Sequence, residues 1–201
     1  MKPTTLYHLG GYSLMGGALC MAGFWMLAGV LGSFAGAAVT HSPLWLPSQT
    51  LHILAALLTL FGLFGLYAVQ LEKLGALGLV GFALAIIGTV LFFADGLIAL
   101  TVFPALADSA PTLLEVTGAM NTGGVLIAFI VIAATAMIGY VVFGVALWRA
   151  GVLPRGATLL FLLGGILFNL PPGPVPLMVL TVGGVVWAAG ALWLAVDLLK
   201  V

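Results

Sequence analysis

Every basic side chain of this sequence, Lys2, Lys73, Arg149, Arg155 and Lys200, falls in a gap between long apolar stretches, and every second gap contains none. Lys and Arg are held on the cytoplasmic side during membrane insertion, so such an alternation predicts both the spans and their direction. Composition agrees: of 201 residues 64% are hydrophobic and 5% charged, and the mean hydropathy is +1.34. Five basic and five acidic side chains are too few to cover the surface of a soluble domain. No polar linker or low-complexity tail divides the chain, so a single domain over 1–201 is expected.

A hydrocarbon core of ~30 Å requires about 20 helical residues. Six stretches meet or approach that length, roughly 10–38, 51–71, 75–103, 119–148, 156–170 and 177–198. The expected fold class is all-α: a polytopic membrane protein built as a bundle of six transmembrane helices, multipass in the inner (plasma) membrane, with both termini cytoplasmic. Lys2, Glu72-Lys73, Arg149 to Arg155 and Lys200 then lie inside, and Thr40 to Thr50, Pro104 to Gly118 and Asn169 to Pro176 outside. All ten prolines are expected in these gaps, because proline within a helix strands a carbonyl without a donor. Tyr7, Tyr12, Tyr67, Trp148 and Trp193 are expected at the inner boundary and Trp45 at the outer one, with Trp25 and Trp187 as mid-span exceptions.

The amino-terminal run superficially resembles a secretory signal, with Lys2 before it and Ala35 and Ala37 near its end. From Gly10 to Val39 it meets no charge and exceeds the ~7–15 residues of a signal core, which predicts a retained anchor. The single Cys20 excludes an intrachain disulfide. A formal net charge of zero offers neither a nucleic-acid face nor a polybasic patch. Close helix packing in lipid favours small residues, and Ala28-Gly32-Gly36, Gly75-Gly78-Gly81 and Gly184-Ala188 are the expected ridges. The units Phe61-Gly62 to Lys73-Leu74 and Phe143-Gly144 to Arg155-Gly156 suggest a duplicated hairpin.

Asp95, in Phe92-Phe93-Ala94-Asp95-Gly96, is the one acid inside a predicted span away from its last turn. An ionised Asp at the bilayer centre costs ~2.5–3.5 kcal/mol even on insertion scales, so it should face protein or water. The apolar stretch around it runs on to Ala107, and a continuous helix of that length overshoots the core by ~20 Å at ~1.5 Å per residue. The third helix is therefore expected to tilt strongly or to break near Asp95-Gly96. The fifth span is short, which predicts that the proline-rich exit Asn169 to Pro176 is partly sunk. Together these predict a shallow outward-facing hollow that binds a small or lipophilic ligand, lined by Asp95, Asn121, Thr122 and His52. The alternative is a structural Asp95 that caps or bonds a neighbouring helix.

His41 and His52 flank the first outer loop, while His8 lies on the opposite side. Zinc held by His41, His52 and Asp95 or Asp108 is chemically possible, but no ligand spacing supports it, and His8 cannot complete a haem pair. No metal and no cofactor are expected. Ser42 or Ser48 near His52 only imitates a dyad, and no zinc-protease motif, nucleophile elbow or phosphate loop is present. The expectation is a non-enzymatic protein whose partners are the lipid bilayer, a small-molecule or lipid ligand and a membrane protein or second copy, with no nucleic acid. A structural or accessory subunit is the first alternative and an intramembrane metal-dependent enzyme the second.

Leu147-Trp148-Arg149-Ala150-Gly151-Val152-Leu153-Pro154-Arg155-Gly156, followed by Gly165-Ile166-Leu167-Phe168-Asn169-Leu170-Pro171-Pro172-Gly173-Pro174, resembles a pattern recurrent in small six-helix bacterial multipass proteins of no assigned activity. Gly65-Leu66-Tyr67-Ala68 and Gly78-Leu79-Val80-Gly81-Phe82, leading to Asp95, resemble it too. The resemblance implies a six-helix architecture and transfers no catalytic residue. Length and helix count are also similar to those of the substrate-capturing subunits of vitamin importers, a likeness of architecture alone.

The threading is open to direct test. In a Cys20→Ser background, Lys73→Cys and Arg149→Cys should react with an impermeant maleimide from one side of sealed vesicles and Thr50→Cys from the other. Labelling of Lys73→Cys and Arg149→Cys from opposite sides overturns the map.

Overall fold

The structure, a computed structural model, describes residues 3–171 and 175–201. Expectations that rest on Lys2 or on Pro172-Gly173-Pro174 lie outside the described residues. The described chain is helical in the order α1 (Pro3–Leu31), α2 (Ala37–Thr40), α3 (Trp45–Ala68), α4 (Leu71–Ser109), α5 (Gly123–Ala150), α6 (Arg155–Leu167) and α7 (Leu177–Leu198), with a 3-10 turn at Pro111–Leu114. Helix is the element that satisfies its own backbone in an apolar surrounding, and these sequences supply nothing else that would. Five of them, α1, α3, α4, α5 and α7, are long and apolar enough to cross a membrane. At 13 residues α6 is shorter, roughly 20 Å at ~1.5 Å per residue. The set is consistent with a helical membrane bundle, and large apolar side chains such as Met26, Val30, Phe61, Ile127 and Ile138 face outward from it.

The long helices and α6 form a closed ring in chain order, each packed against its predecessor and successor, with α7 returning to α1. Neighbours run antiparallel. On α1 and α3, Gly10 meets Gly65, Leu14 meets Gly62 and Gly17 meets Thr59; on α1 and α7, Gly11 meets Leu199 and Gly29 meets Thr181. Alternation of direction places Lys73, Arg149, Arg155 and Lys200 at one end of the bundle, here the basic end. The opposite end holds α2, the connection from Ala110 to Thr122 and the start of α7.

Three seams carry the packing through glycine. A Cβ on Gly81 would strike the backbone of Phe143, one on Gly88 the backbone of Ala136 and one on Gly139 that of Ala85. Gly164 and Gly190 approach the backbones of Trp187 and Phe161 in the same way, and Gly10 that of Gly65. With apolar solvent outside and inside alike, such backbone proximity supplies the dispersion that hydrophobic exclusion cannot. Most of these contacts lie toward the basic end. Toward the other end aromatic rings take over: Phe24, Trp25, Phe92, Phe168 and Trp187 form one connected cluster in the core.

Several local expectations are corrected. The Ala28-Gly32-Gly36 ridge does not exist, since α1 ends at Leu31 and Gly32 and Gly36 sit at φ 73° and 99° with no neighbour where a Cβ would be. On α4 the backbone departs from helix at Gly75 (φ 57°, ψ −162°), not at Asp95-Gly96, through which the helix continues. Gly75 is thus a hinge beside the α3–α4 turn, while Gly81 and Gly88 are the contact residues. Gly184 does pack tightly, against the indole of Trp25. Pro47 lies in the first turn of α3 and Pro104 inside α4, so the prolines are not confined to gaps. The two hairpins close differently: Val69-Gln70 joins α3 to α4, whereas α5 ends on left-handed Gly151 (φ 65°), whose N–H donates to Leu147 O at 3.2 Å.

Gly88→Ala and Gly139→Ala should each cost ~1–3 kcal/mol, because the added methyl has only backbone to displace. Gly124→Ala, with open space around it, should stay within ~0.5 kcal/mol. Reversible unfolding in mixed micelles compares the three, and equal stabilities would remove the glycine seams from the account.

Candidate binding site

At the end opposite the basic residues the helix tips enclose a partly open cavity of about 210 Å³. Its existence follows from how α5 packs. No described residue of α5 before Ala136 is buried, whereas Ala136, Gly139, Tyr140 and Phe143 are. The glycine seam therefore holds α4 and α5 together, and beyond it α5 presents Leu126, Phe129 and Ala133 to open space instead of to α1 and α6. Facing them are Phe24, Trp25 and Phe34 from α1 and its exit, Phe92 and Phe103 from α4, and Phe168 after α6.

Asp95, His52 and Asn121 all reach this cavity, and Thr122 does not. Thr122 is exposed and its hydroxyl donates to Gly118 O at 2.9 Å, which turns the side chain back into the connection. Asp95 is half-buried one helical turn below Ala99 and, among the described residues, has neither a hydrogen-bond nor an ion-pair partner. An acid capping or bonding a neighbouring helix would show one.

His52 is 2% exposed and lies between two rings, with centroids 4.5 Å from Phe24 and 3.9 Å from Phe92. Gly96 leaves room for it: a Cβ there would come within 3.2 Å of the imidazole. Its Nδ1 is 3.3 Å from Gln49 Oε1. Asn121 Nδ2 donates to Leu114 O at 2.9 Å and Glu115 O at 3.0 Å. Leu114 O also accepts from Gly36 N at 2.7 Å, so the carbonyl that holds Asn121 also joins its connection to the exit of α1 beside the cavity.

Two residues outside the sequence-based site shape it. Trp45 is 3% exposed; its indole N–H donates to Ala99 O at 3.1 Å and its ring stacks on Phe103 at 6.1 Å and 18°. This ties the start of α3 to the stretch of α4 that approaches Pro104, where one helical donor is missing. Asn169, 7% exposed, donates from Nδ2 to Gly165 O at 2.8 Å and caps the short α6 at the cavity wall. Trp25 and Asn169 carried a signal in the sequence, a mid-span indole and an amide before prolines. The phenylalanines carried none, because an apolar side chain in an apolar span does not reveal whether it faces lipid or protein.

No three His, Cys, Asp or Glu side chains converge among the described residues. His41 Nε2 pairs with Asp108 Oδ1 at 3.0 Å on the exposed rim, away from His52. An exposed pair contributes at most ~1 kcal/mol, so His41→Ala should barely change stability. Trp45→Phe, which removes a buried donor and part of the buried ring system, should cost about 1–3 kcal/mol. Chemical unfolding of both variants checks the ordering, and a larger loss for His41→Ala reverses the assignment of which contact holds the rim. Compared with known proteins, the chain matches no family model, no curated protein and no solved structure.

Proposed function

We propose that this chain is a non-enzymatic integral membrane protein of six crossings, its basic end and both termini cytoplasmic, that holds a small ligand with an apolar body in the outward-facing cavity beside Asp95. The observation that carries this reading is an unpartnered carboxylate set in an aromatic-walled hollow. Helix contacts elsewhere close down to backbone distance, so a hollow of about 210 Å³ with a lone acid at its wall stands apart from the packing of the rest of the bundle. Pockets of this make-up, mostly apolar with a few convergent polar groups, are where ligands bind. The glycine seams are engaged between helices of this same chain, which removes the main motive for reading it as an accessory subunit.

Filling the cavity tests the reading. N-phenyl-1-naphthylamine, a neutral dye that brightens in apolar sites, should bind the native protein saturably in maltoside micelles. Ala133→Phe, which projects a ring into the hollow, should weaken that binding about tenfold or more while leaving the unfolding temperature within a few degrees. Equal binding by the variant would overturn the proposal.

A further inference from the structure

The polar atoms of the cavity wall are biased toward acceptors. Backbone carbonyls only accept, so the amide nitrogens of Asn121 and Asn169 are committed to Leu114, Glu115 and Gly165, and each amide oxygen is left over. The indole N–H of Trp45 is likewise committed, to Ala99. With the Asp95 carboxylate these oxygens outnumber the remaining donor on the wall, the amide of Gln49, while the indole N–H of Trp25 and Nε2 of His52 are buried beneath the surface. Among the described residues no Lys or Arg lines the cavity, and the basic ones lie at the far end of the bundle. The remaining wall is largely the faces and edges of aromatic rings, and such rings attract a cation on their faces.

From this juxtaposition we infer that the ligand of the cavity is an organic ammonium ion: a protonated amine whose charge and N–H meet Asp95 and the amide oxygens while its apolar substituents rest on the rings. The inference rests on the ligand-binding reading above and names its chemical class. A neutral apolar occupant would leave the acid unpaired, and an anion would meet the carboxylate without a cation to offset it. The ammonium belongs either to a free amine or to the headgroup of an ethanolamine lipid, since both offer the same charged N–H group.

A charge-only comparison tests it. Protonated N,N-dimethylbenzylamine and isobutylbenzene share shape and differ at one atom, nitrogen against carbon. In displacement of N-phenyl-1-naphthylamine from the native protein in maltoside micelles, the cation should bind about tenfold or more tighter than the hydrocarbon. Asp95→Asn should abolish that preference and Asp95→Glu retain it; if Asp95→Asn does not fold, the native ratio alone decides. Equal affinities, with both lost in Ala133→Phe, overturn the ammonium assignment while the cavity remains a binding site. Displacement by neither compound, together with dye binding unaffected by Ala133→Phe, overturns both. Phosphatidylethanolamine displacing the dye where phosphatidylglycerol does not places the ammonium on a lipid; displacement by the free amine alone places it on a soluble ligand.

Discussion

Helix backbones pressed together at glycine are the constraint on which the rest of this structure depends. Where Gly81, Gly88 and Gly139 remove their side chains from the α4–α5 boundary, the two helices meet backbone to backbone. The same occurs at Gly10 and Gly65 and at Gly164 and Gly190. In an apolar surrounding there is little else to hold helices together, because exchanging lipid contact for protein contact gains nothing by exclusion from water. The α1–α3 and α4–α5 seams lie toward the basic end, while along α6 and α7 Gly183 carries close contact on to the backbone of Phe168. Between α1, α4 and the end of α6 the positions beyond the α4–α5 seam are occupied by Phe24, Trp25, Phe92 and Phe168, whose bulk spaces those helices. The hollow is the geometric consequence of tight packing at the α4–α5 seam and bulky packing beyond it.

That arrangement explains why the site residues are supported in different ways. Asp95 stands on the uninterrupted part of α4, and its neighbour one turn on, Ala99, is held by the Trp45 indole. His52 is fixed by two rings and Gln49, in space that Gly96 vacates. Asn121 is held by carbonyls of the connection it belongs to, and the same carbonyl of Leu114 receives Gly36 from the exit of α1. The cavity rim is thus a hydrogen-bonded lid of short connections, and its wall is a rigid set of helix tips.

Much of the element order was legible beforehand, because an apolar run of membrane length has few alternatives to helix. The ends of the helices were less so. The start of α3 at Trp45 and the continuation of α4 to Ser109 were hidden by Pro47, which a helix accommodates in its first turn, and by Pro104, across which α4 continues. Gly75 was read as a contact and is a hinge; Gly88 and Gly139 were not singled out and are contacts. Glycine spacing alone does not distinguish these roles, since both need a missing Cβ.

For the site, the sequence by itself determined that an acid had to lie within an apolar stretch near amide and histidine residues at the same end of the bundle. Charge placement and span length decide depth, and depth brought Asp95, His52 and Asn121 to one level. Only the tertiary structure decided which side chains face one another at that level, because the rotation of each helix about its axis is set by packing against its neighbours. That rotation directs Thr122 back to Gly118, places Asn169 and Trp25 on the wall, and leaves Asp95 facing a cavity without a partner.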